Sequence, residues 1–388
     1  MPDIPRGDMQ APKLYCVPMD DGRLLRRGWT TGACATAAGK AAFTALATGE
    51  FPDPVEITLP GGQSVAFSLA VNRKEVGSAT AGVIKDAGDD PDVTHGALVL
   101  ATVRNGAAGS GVSFKAGPGV GTVTLPGLPV PTGEPAINPV PRKMMRAAIA
   151  EVANAYGHPG DVEIEISIPY GEEMAAKTLN ARLGIVGGLS ILGTTGVVVP
   201  YSCAAWIASI QRGIDVARAT GLTHVAGATG RASEAAVKAL YDLPETALLD
   251  MGDFVGGTLK YLRTHSLPRI TIAGGVAKMT KLAQGMLDLH SARGRVELSA
   301  LAQVARESGA SEELARRIVS ANTTPEAFNL AASEGIRLGD VVAGHAWNVA
   351  AEVLANVDTV LDIVIFDREG MLVGRSPPKA VHATPPKR

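Results

Sequence analysis

The chain has 388 residues, of which 46% are hydrophobic and 19% are charged, with a formal net charge of -2 and 45 glycines. A chain of this length is expected to form two domains with sizeable hydrophobic cores. The near-neutral charge and the aromatic content of only 4% argue against nucleic acid as a partner, because nucleic-acid-binding proteins present basic faces and stacking rings.

Sequence features of secretion, membrane insertion and metal binding are missing. The N-terminus lacks a basic start followed by an apolar run, and no apolar segment approaches the roughly 20 residues of a membrane span. The cysteines Cys16, Cys34 and Cys203 form no C-x-x-C pair, and the seven histidines lack ligand spacing. We therefore expect a cytoplasmic protein that has no protein-bound metal and contacts neither membrane nor nucleic acid.

The N-terminal half predicts an α+β domain over residues 25–180. An Ala-rich helix is expected to begin after Thr30 or Thr31 and to stop at Gly49, and a second helix begins near Pro141. Short β-rich segments separated by Gly and Pro turns indicate a mixed or antiparallel sheet; they are VEITLP, SVAFSLAV, GALVLATV, GVSFKA, GTVTL and DVEIEISIP.

The C-terminal half predicts a Rossmann-like α/β domain over residues 181–375, which could be intertwined with the first. The strands THVAGATG, TALLDMGD and RITIAGG are each followed by a helical segment, a pattern typical of a parallel sheet with crossover helices. A mostly helical segment then precedes a last strand, DTVLDIVIFD. Residues 1–24 and 376–388 are expected to be flexible tails.

Three glycine-rich segments follow the predicted parallel strands, at 227–230, 250–253 and 273–275. Ligands of parallel sheets collect at the carboxyl ends of the strands, and an acid about 20 residues after the first glycine loop commonly binds ribose hydroxyls. Alternatively, the glycines only permit close packing and the aspartates cap helices. We predict a cofactor site formed by Gly227, Gly230, Asp250, Gly252, Asp253 and Gly274.

Three further segments contain candidate site residues. The neutral loop, GIVGGLSILGTTGVVVP over residues 184–200, offers backbone N–H groups and hydroxyls without any acid or base. The acidic loop, DAGDDPDVTHG over residues 86–96, is either a solvated turn or the source of one functional carboxylate. Arg142 and Lys143 lie at a helix start, where cations oppose the helix dipole unless an anion compensates; otherwise they are two solvated charges.

These segments together resemble the cobalt-precorrin-5B C1-methyltransferase family of cobalamin (vitamin B12) biosynthesis. The resemblance extends from about Leu25 to Gly374 and rests on GWTTGACATAAGKAA, IKDAGDDPDVTHGA, GVGTVTLPGLPVPTGEPAINPVPRKMM, EEMAAKTLNARLGIVGGLSILGTTGVVVP and MGDFVGGTLKYLR. It implies methyl transfer from S-adenosylmethionine to ring carbon 1 of the tetrapyrrole (cobalt-)precorrin-5B, giving (cobalt-)precorrin-6A. Any cobalt belongs to the substrate. Gly275 stands where members of that family often have histidine.

The resemblance also implies roles for particular residues. The conjugated ring itself supplies the electrons for methyl transfer, so the protein must mainly align the reactants and exclude water. We expect Ser190, Thr194 and Thr195 near the reacting atoms, Asp89 as a proton acceptor, and Gly187, Gly188 and Gly193 against the cofactor. The tetrapyrrole carboxylates require cations, for which the candidates are Arg142, Lys143, Arg182, Lys278, Lys281 and His290, with Lys40 as a weaker one.

Two other functions fit the same residues. A nicotinamide-dependent reductase acting on a tetrapyrrole or another polyanionic substrate could use the same sheet and ribose acid. A tetrapyrrole carrier without catalysis would need the cations but no nucleotide site. Binding of S-adenosylhomocysteine rather than NADPH separates the methyltransferase from the reductase. The carrier would bind the ring with no dependence on S-adenosylmethionine. A homo-oligomer or transient contacts with neighbouring pathway enzymes are compatible with the sequence.

Overall fold

The computed structural model describes residues 16–18, 22–355 and 357–381. The chain divides into two compact units between Ser202 and Cys203. Within the described part of the chain, no helix combines the length and the apolar character that crossing a membrane would require. Most of the two predicted tails lies outside the described residues.

The first unit contains short strands and two long helices. In chain order its elements are β1 Cys16–Pro18, β2 Leu24–Arg26, β3 Gly28–Trp29, α1 Thr31–Thr48, β4 Val55–Thr58, β5 Ser64–Phe67, β6 Val71–Glu75, β7 Ser78–Ile84, β8 Leu98–Asn105, β9 Val112–Ala116, β10 Gly119–Val120, β11 Thr122–Val123, α2 Pro139–Tyr156, β12 Val162–Ser167, α3 Gly171–Ala175, a 3-10 turn Ala181–Leu183, β13 Ile185–Val186, β14 Gly188–Leu189 and β15 Val197–Val198.

The second unit alternates strands and helices before a helical segment and a final pair of strands. Its elements are α4 Cys203–Ala219, β16 His224–Ala228, α5 Arg231–Tyr241, a 3-10 turn Glu245–Ala247, β17 Leu248–Asp250, α6 Val255–Leu262, β18 Arg269–Gly275, α7 Val276–Ala283, α8 Leu298–Glu307, α9 Glu312–Val319, α10 Thr324–Ser333, α11 Leu338–Val353, β19 Val360–Phe366 and β20 Leu372–Ala380.

The main sheet of the first unit is mixed, in the order β6-β7-β8-β12-β9. Its pairs are antiparallel except for the parallel pair β12–β9. Strand β12 shows why it forms: Val162, Ile164 and Ile166 are fully buried while the residues between them are partly exposed, the alternation of a strand with one core face. The α1 and α2 helices pack on this core.

The α1 helix begins and ends where its sequence predicts. The Thr30 hydroxyl accepts a hydrogen bond from the Ala33 N–H at 3.2 Å, which satisfies one of the helix's unpaired donors. Gly49 adopts a left-handed φ of 98° and ends the helix. Most of α1 is buried, and its alanines and glycines allow neighbouring elements to approach it closely.

The sheet of the second unit has the order β17-β16-β18-β19-β20. The first four strands are parallel and β20 is antiparallel at one edge. Alternate residues of the strands point to opposite faces of the sheet and pack in separate hydrophobic cores, for example Val225 on one face and Ala226 on the other. The α5 helix covers the second face, and the other long helices cover the first. The chain is therefore a mixed α/β protein.

Two segments differ from their predicted assignment. Residues 181–202, predicted to open the second domain, pair with strands of the first unit through β13, β14 and β15. Residues 376–380, predicted as a tail, form the end of β20, where Ser376 is buried. Two prolines made this segment look unstructured, but an edge strand tolerates proline because its outward N–H groups need no partner within the sheet.

Candidate functional site

The neutral loop and the acidic loop both contact the chain around the start of α1. The Gly32 N–H donates to the Leu192 carbonyl at 3.0 Å, and the Thr30 N–H donates to the Gly196 carbonyl at 3.0 Å. On the other side, the Trp29 N–H donates to the Asp86 carbonyl at 2.7 Å. Backbone hydrogen bonds thus bring three motifs that are distant in the sequence into one cluster of the first unit.

The same loop also contacts the start of α2. The Ile191 N–H donates to the Ala136 carbonyl at 2.8 Å, and the Asn138 N–H donates to the Ile191 carbonyl at 2.9 Å. A Cβ atom on Gly32 would lie 2.7 Å from Pro141 Cγ, so only glycine allows this approach. The neutral loop therefore links the N-terminal ends of the two long helices.

The loop's glycines serve different purposes. A Cβ on Gly188 would lie 2.3 Å from the Gly119 carbonyl carbon, and one on Gly193 would lie 2.3 Å from Thr30 Oγ1. Both positions are therefore required for packing, and a bulky residue at Gly193 would disturb the α1 cap. Gly187, with a φ of 89°, faces open space.

The loop's hydroxyls lie partly at the surface. Ser190 is half-buried and its hydroxyl donates to Asn180 Oδ1 at 3.4 Å. Thr195 closes a local turn, with its hydroxyl accepting from the Val197 N–H at 3.2 Å. Thr194 and Thr195 are exposed, so both side chains are accessible, and the Thr195 hydroxyl also donates to the Val197 carbonyl at 3.1 Å.

The carboxylates of the acidic loop hold the loop in place. Asp89 Oδ2 accepts the Arg26 backbone N–H at 2.6 Å, and Asp86 pairs with the Arg26 guanidinium, which lowers the pKa of Asp86. The buried Lys85 ammonium lies 2.6 Å from Asp92 Oδ2. Burial acts to raise the pKa of Asp92, but the charge and hydrogen bond of Lys85 together with the hydrogen bonds from Thr94 outweigh burial, so the pKa is lowered.

Arg142 is engaged with its own neighbourhood. Its guanidinium donates to the Ile137 carbonyl at 2.8 Å and the Pro135 carbonyl at 2.9 Å, and it lies 3.1 Å from the Glu134 carboxylate. The side chain is only 15% exposed. These contacts fold the segment that precedes α2, so the cation is not freely presented to a ligand.

The other cations of the first unit differ in exposure. Lys143 is exposed on α2, and Arg182 is half-buried on a 3-10 turn. Lys40 lies 2.7 Å from the Glu151 carboxylate. Arg146, which sequence analysis missed, is exposed one turn after Lys143 with its guanidinium 4.9 Å from the centre of the Phe114 ring. The three-residue spacing of Lys143 and Arg146 in the sequence indicates that the two cations share one face of the helix, and Arg146 could have been predicted from it.

In the second unit, the glycine-rich loops meet at the carboxyl ends of the strands. The Thr229 N–H donates to the Ala273 carbonyl at 3.0 Å. The N–H groups of Met251 and Gly252 both donate to the Ala228 carbonyl, at 3.0 and 3.2 Å. The predicted cofactor residues between Gly227 and Gly274 are thus neighbours. We call this region, formed by residues 227–230, 250–254 and 273–278, the carboxyl-edge site.

Two glycines of the carboxyl-edge site leave open space. Gly230 and Gly275 precede α5 and α7, their φ angles of 168° and -72° suit any residue, and a Cβ on either would meet nothing within 4 Å. By contrast, a Cβ on Gly274 would lie 2.7 Å from Met279 Cε, and one on Gly227 would lie 3.2 Å from Met251 Sδ. The first two glycines therefore face open space, whereas the other two serve packing.

Lys278 connects two loops of this site. Its ammonium donates to the Thr229 carbonyl at 2.6 Å and lies 3.0 Å from Asp253 Oδ1, an ion pair whose angle falls outside hydrogen-bond geometry. Predicted to bind substrate, Lys278 instead lies among the predicted cofactor residues. Asp250, also half-buried here, ends β17.

The two remaining predicted cations have local roles. Lys281 is 8% exposed and donates to the Leu289 carbonyl at 2.9 Å, so it secures the segment after α7. His290 is exposed, and its Nδ1 accepts from the Ala292 N–H at 3.2 Å. Over the ranges that the structure describes, no three His, Cys, Asp or Glu side chains come together in a metal-binding group.

Comparisons with known proteins agree along almost the whole chain. The family model CbiD matches residues 19–200, and the model CbiD, C-terminal domain, matches residues 288–377. A protein of Agrobacterium fabrum (strain C58) named cobalt-precorrin-5B C(1)-methyltransferase is 63% identical over 366 residues, covering 94% of this chain and 96% of the relative. The chain belongs to the CbiD family. The resemblance seen in the sequence is thereby confirmed.

A second curated relative supports the same assignment, and one solved structure is similar to the chain. A Bradyrhizobium sp. (strain BTAi1) protein with the same name is 62% identical over 353 residues, covering 91% of this chain and 94% of its own. The crystal structure of a cobalamin biosynthesis protein (cbiD) from Archaeoglobus fulgidus is 28% identical, covers 74% of this chain and 90% of that chain, and superposes with a TM-score of 0.40. The two curated relatives give no support to the reductase alternative.

Proposed function

We propose that this chain transfers a methyl group from S-adenosylmethionine to carbon 1 of (cobalt-)precorrin-5B, giving (cobalt-)precorrin-6A in cobalamin biosynthesis. The observation that carries the proposal is that relatives 63% and 62% identical, each spanning more than nine-tenths of this chain, are named for this C(1)-methyl transfer. The protein acts as a methyltransferase, and the tetrapyrrole is its small-molecule substrate.

We place S-adenosylmethionine at the carboxyl-edge site of a Rossmann-like second unit. The strand order puts β16 between β17 and β18, so the connections after β16 and β18 leave on opposite faces, and ligands of such sheets bind where this divergence opens a crevice. Gly230 and Gly275 leave room there. The Asp250 carboxylate suits the ribose hydroxyls. When bound, the co-substrate supplies a methyl group on a positively charged sulfur.

The remaining residues of this site suit the amino-acid end of the co-substrate. Lys278, held by the Thr229 carbonyl and Asp253, presents an ammonium for a carboxylate, and Asp253 supplies an acceptor for an amino group. Gly227, Gly252 and Gly274 keep the three loops close enough for these side chains to converge.

In the first unit, we propose that the exposed Thr194 and Thr195 hydroxyls and the half-buried Ser190 line the tetrapyrrole, with Gly187 allowing close approach. Lys143, joined by Arg146, is the proposed partner of ring carboxylates, and Arg182 is a further one. The ring supplies the attacking electrons, so the chain orients it and keeps water out. The proton lost afterwards goes to water or to Asp89.

Incubation of the purified chain with methyl-labelled S-adenosylmethionine and precorrin-5B, with and without bound cobalt, tests the activity. We expect labelled product with the methyl group on carbon 1 by NMR, and S-adenosylhomocysteine released in equal amount. The comparison of the two substrates decides whether cobalt is required. The proposal would be refuted if the tetrapyrrole stayed unlabelled in both incubations, or if the chain consumed NADPH instead.

Glycine substitutions test the placement of the co-substrate. Threonine at Gly230 or Gly275 should leave the free energy of unfolding within about 0.5 kcal/mol, since the space is open and threonine is a good N-cap. Each should weaken S-adenosylhomocysteine binding at least about tenfold in calorimetry, because the new side chain would occupy the space proposed for the co-substrate. Gly344→Ala, in open space on α11, is the matched control. Unchanged affinity in both threonine variants would exclude this placement.

A further inference from the structure

Trp206 is the large aromatic residue that borders the carboxyl-edge site. It lies in the first turns of α4 and is 46% exposed. Its indole N–H donates to the Asp250 carbonyl at 3.0 Å, which fixes the ring directly beyond the end of β17. This hydrogen bond holds the exposed indole ring in one orientation, which a surface side chain without such a bond would not keep.

The backbone next to Trp206 is shaped to the indole. A Cβ atom on Gly252 would lie 3.5 Å from the indole ring atoms, and Gly252 has a left-handed φ of 55°. The Phe254 ring packs at a tilt, with its centre 6.4 Å from that of Trp206. The loop that follows Asp250 therefore supports one part of the indole and leaves the rest of its surface uncovered.

The helical segment that carries the exposed indole is apolar and uncharged. Its neighbours Cys203, Ala204 and Ala205 are small and exposed, and the segment CAAWIAS over residues 203–209 contains no charged residue. Such a surface suits a neutral planar ring. It does not suit a phosphate, which would need a nearby cation.

We propose that Trp206 stacks on the adenine ring of S-adenosylmethionine, an inference that rests on the proposed function. In sheets of this order the ribose acid follows the second strand, here Asp250 at the end of β17, and the base extends past that strand toward the sheet edge. The strand order places β17 at the edge, and Trp206 is bonded to the last residue of β17. The indole thus lies where the base would extend.

Calorimetry with the full-length chain tests this assignment. Because stacking of a base on an aromatic ring contributes about 1–3 kcal/mol, Trp206→Ala should raise the Kd for S-adenosylhomocysteine about 5- to 150-fold. Trp206→Phe, which retains a ring, should lose much less. Methylthioadenosine keeps the adenine but lacks the amino acid. Its binding should be weakened in Trp206→Ala by the same factor as the binding of S-adenosylhomocysteine.

Trp347→Phe is the matched control. Trp347 is also partly exposed and donates its indole N–H to a main-chain carbonyl, that of Leu361, at 2.9 Å, but Leu361 lies near the amino end of β19. Its replacement should leave both affinities unchanged. In the chain labelled with 5-fluorotryptophan, only the fluorine resonance assigned to Trp206 should shift when S-adenosylhomocysteine is added, a measurement that does not depend on folding of the alanine variant.

The outcomes separate the two proposals. If the unmodified chain binds S-adenosylhomocysteine but Trp206→Ala binds it equally well, or the Trp206 resonance does not move, the stacking role is overturned and the co-substrate assignment survives. Weaker binding of S-adenosylhomocysteine with unchanged methylthioadenosine binding also overturns it, because the lost contact would not be to adenine. If the unmodified chain binds neither compound, both proposals fall.

Discussion

Acidification should destabilise the second unit through His224, a partly buried histidine at the start of β16. His224 Nε2 lies 2.8 Å from Thr271 Oγ1, and that hydroxyl donates to Asp362 Oδ1 at 2.9 Å. Asp362 is fully buried and also accepts the Tyr241 hydroxyl at 2.6 Å. Since the single proton of Thr271 goes to Asp362, His224 must donate from Nε2, and in the neutral ring Nδ1 is then the unprotonated nitrogen.

The size of the effect follows from the pKa of His224. Burial, and next the charge of Arg269, lower the pKa from 6.5 to about 4, with Asp362 opposing. The folded protein therefore keeps His224 neutral while the unfolded chain takes up a proton, so stability is complete above about pH 6.5 and falls as the pH decreases toward about 4. At 1.36 kcal/mol per pKa unit the limit is about 3.4 kcal/mol, and because the ring is partly exposed we expect about 2 kcal/mol.

Chemical unfolding of the chain and of His224→Gln at about pH 7.5 and about pH 4.5 measures this contribution. Glutamine can still donate to Thr271 but does not titrate, so the free energy of unfolding of the variant should fall by about 2 kcal/mol less over this interval. His290→Gln, at an exposed position, should behave as the unmodified chain. Parallel pH dependences for His224→Gln and the unmodified chain would refute the reasoning.

Three further predictions concern the loops and cations. Gly193→Ala should lower the free energy of unfolding by about 2–4 kcal/mol, against about 1 kcal/mol for Gly187→Ala, because only the former adds a collision to the backbone strain; equal losses in denaturant titrations would contradict this. Arg142→Ala should lower the free energy of unfolding by about 2–3 kcal/mol, because it leaves carbonyl groups without donors. Lys143→Ala should leave stability unchanged and raise the KM for the tetrapyrrole, and an unchanged KM would exclude a role for Lys143 in substrate binding. Lys278→Met should weaken the binding of S-adenosylhomocysteine about tenfold in calorimetry. A change in the KM for the tetrapyrrole alone would indicate that Lys278 binds the substrate instead.

The parts of the fold that depend on neighbouring residues were predictable from the sequence. The cap at Thr30 and the stop at Gly49 depend on a few adjacent residues, and both occur where expected. The three strand–helix repeats of the second unit have local apolar patterns, which is why the glycine loops could be placed at strand ends. In the structure these loops follow the ends of neighbouring strands, where Ala228 is paired with Asp250 and with Ala273.

Contacts between distant segments were not predictable in the same way. Strand β7 has a partner on both sides in its sheet, but its sequence SATAGVI consists largely of small residues that are also common in loops. Arg142 was expected to bind a carboxylate because its type and helix position allow it, while its actual partners are carbonyls set by the path of the preceding chain. Trp206 became notable only when folding placed it beside Asp250.

The borders of the five-stranded sheet have a consequence for solubility. One border is β17, only three residues long, and the other is β20, which contains Pro377 and Pro378. A strand of another molecule could pair with only a short length of β17, and β20 lacks N–H donors at its two prolines. Both features disfavour fibril-like pairing. The same prolines that gave this segment the look of a tail thus protect the protein from aggregation.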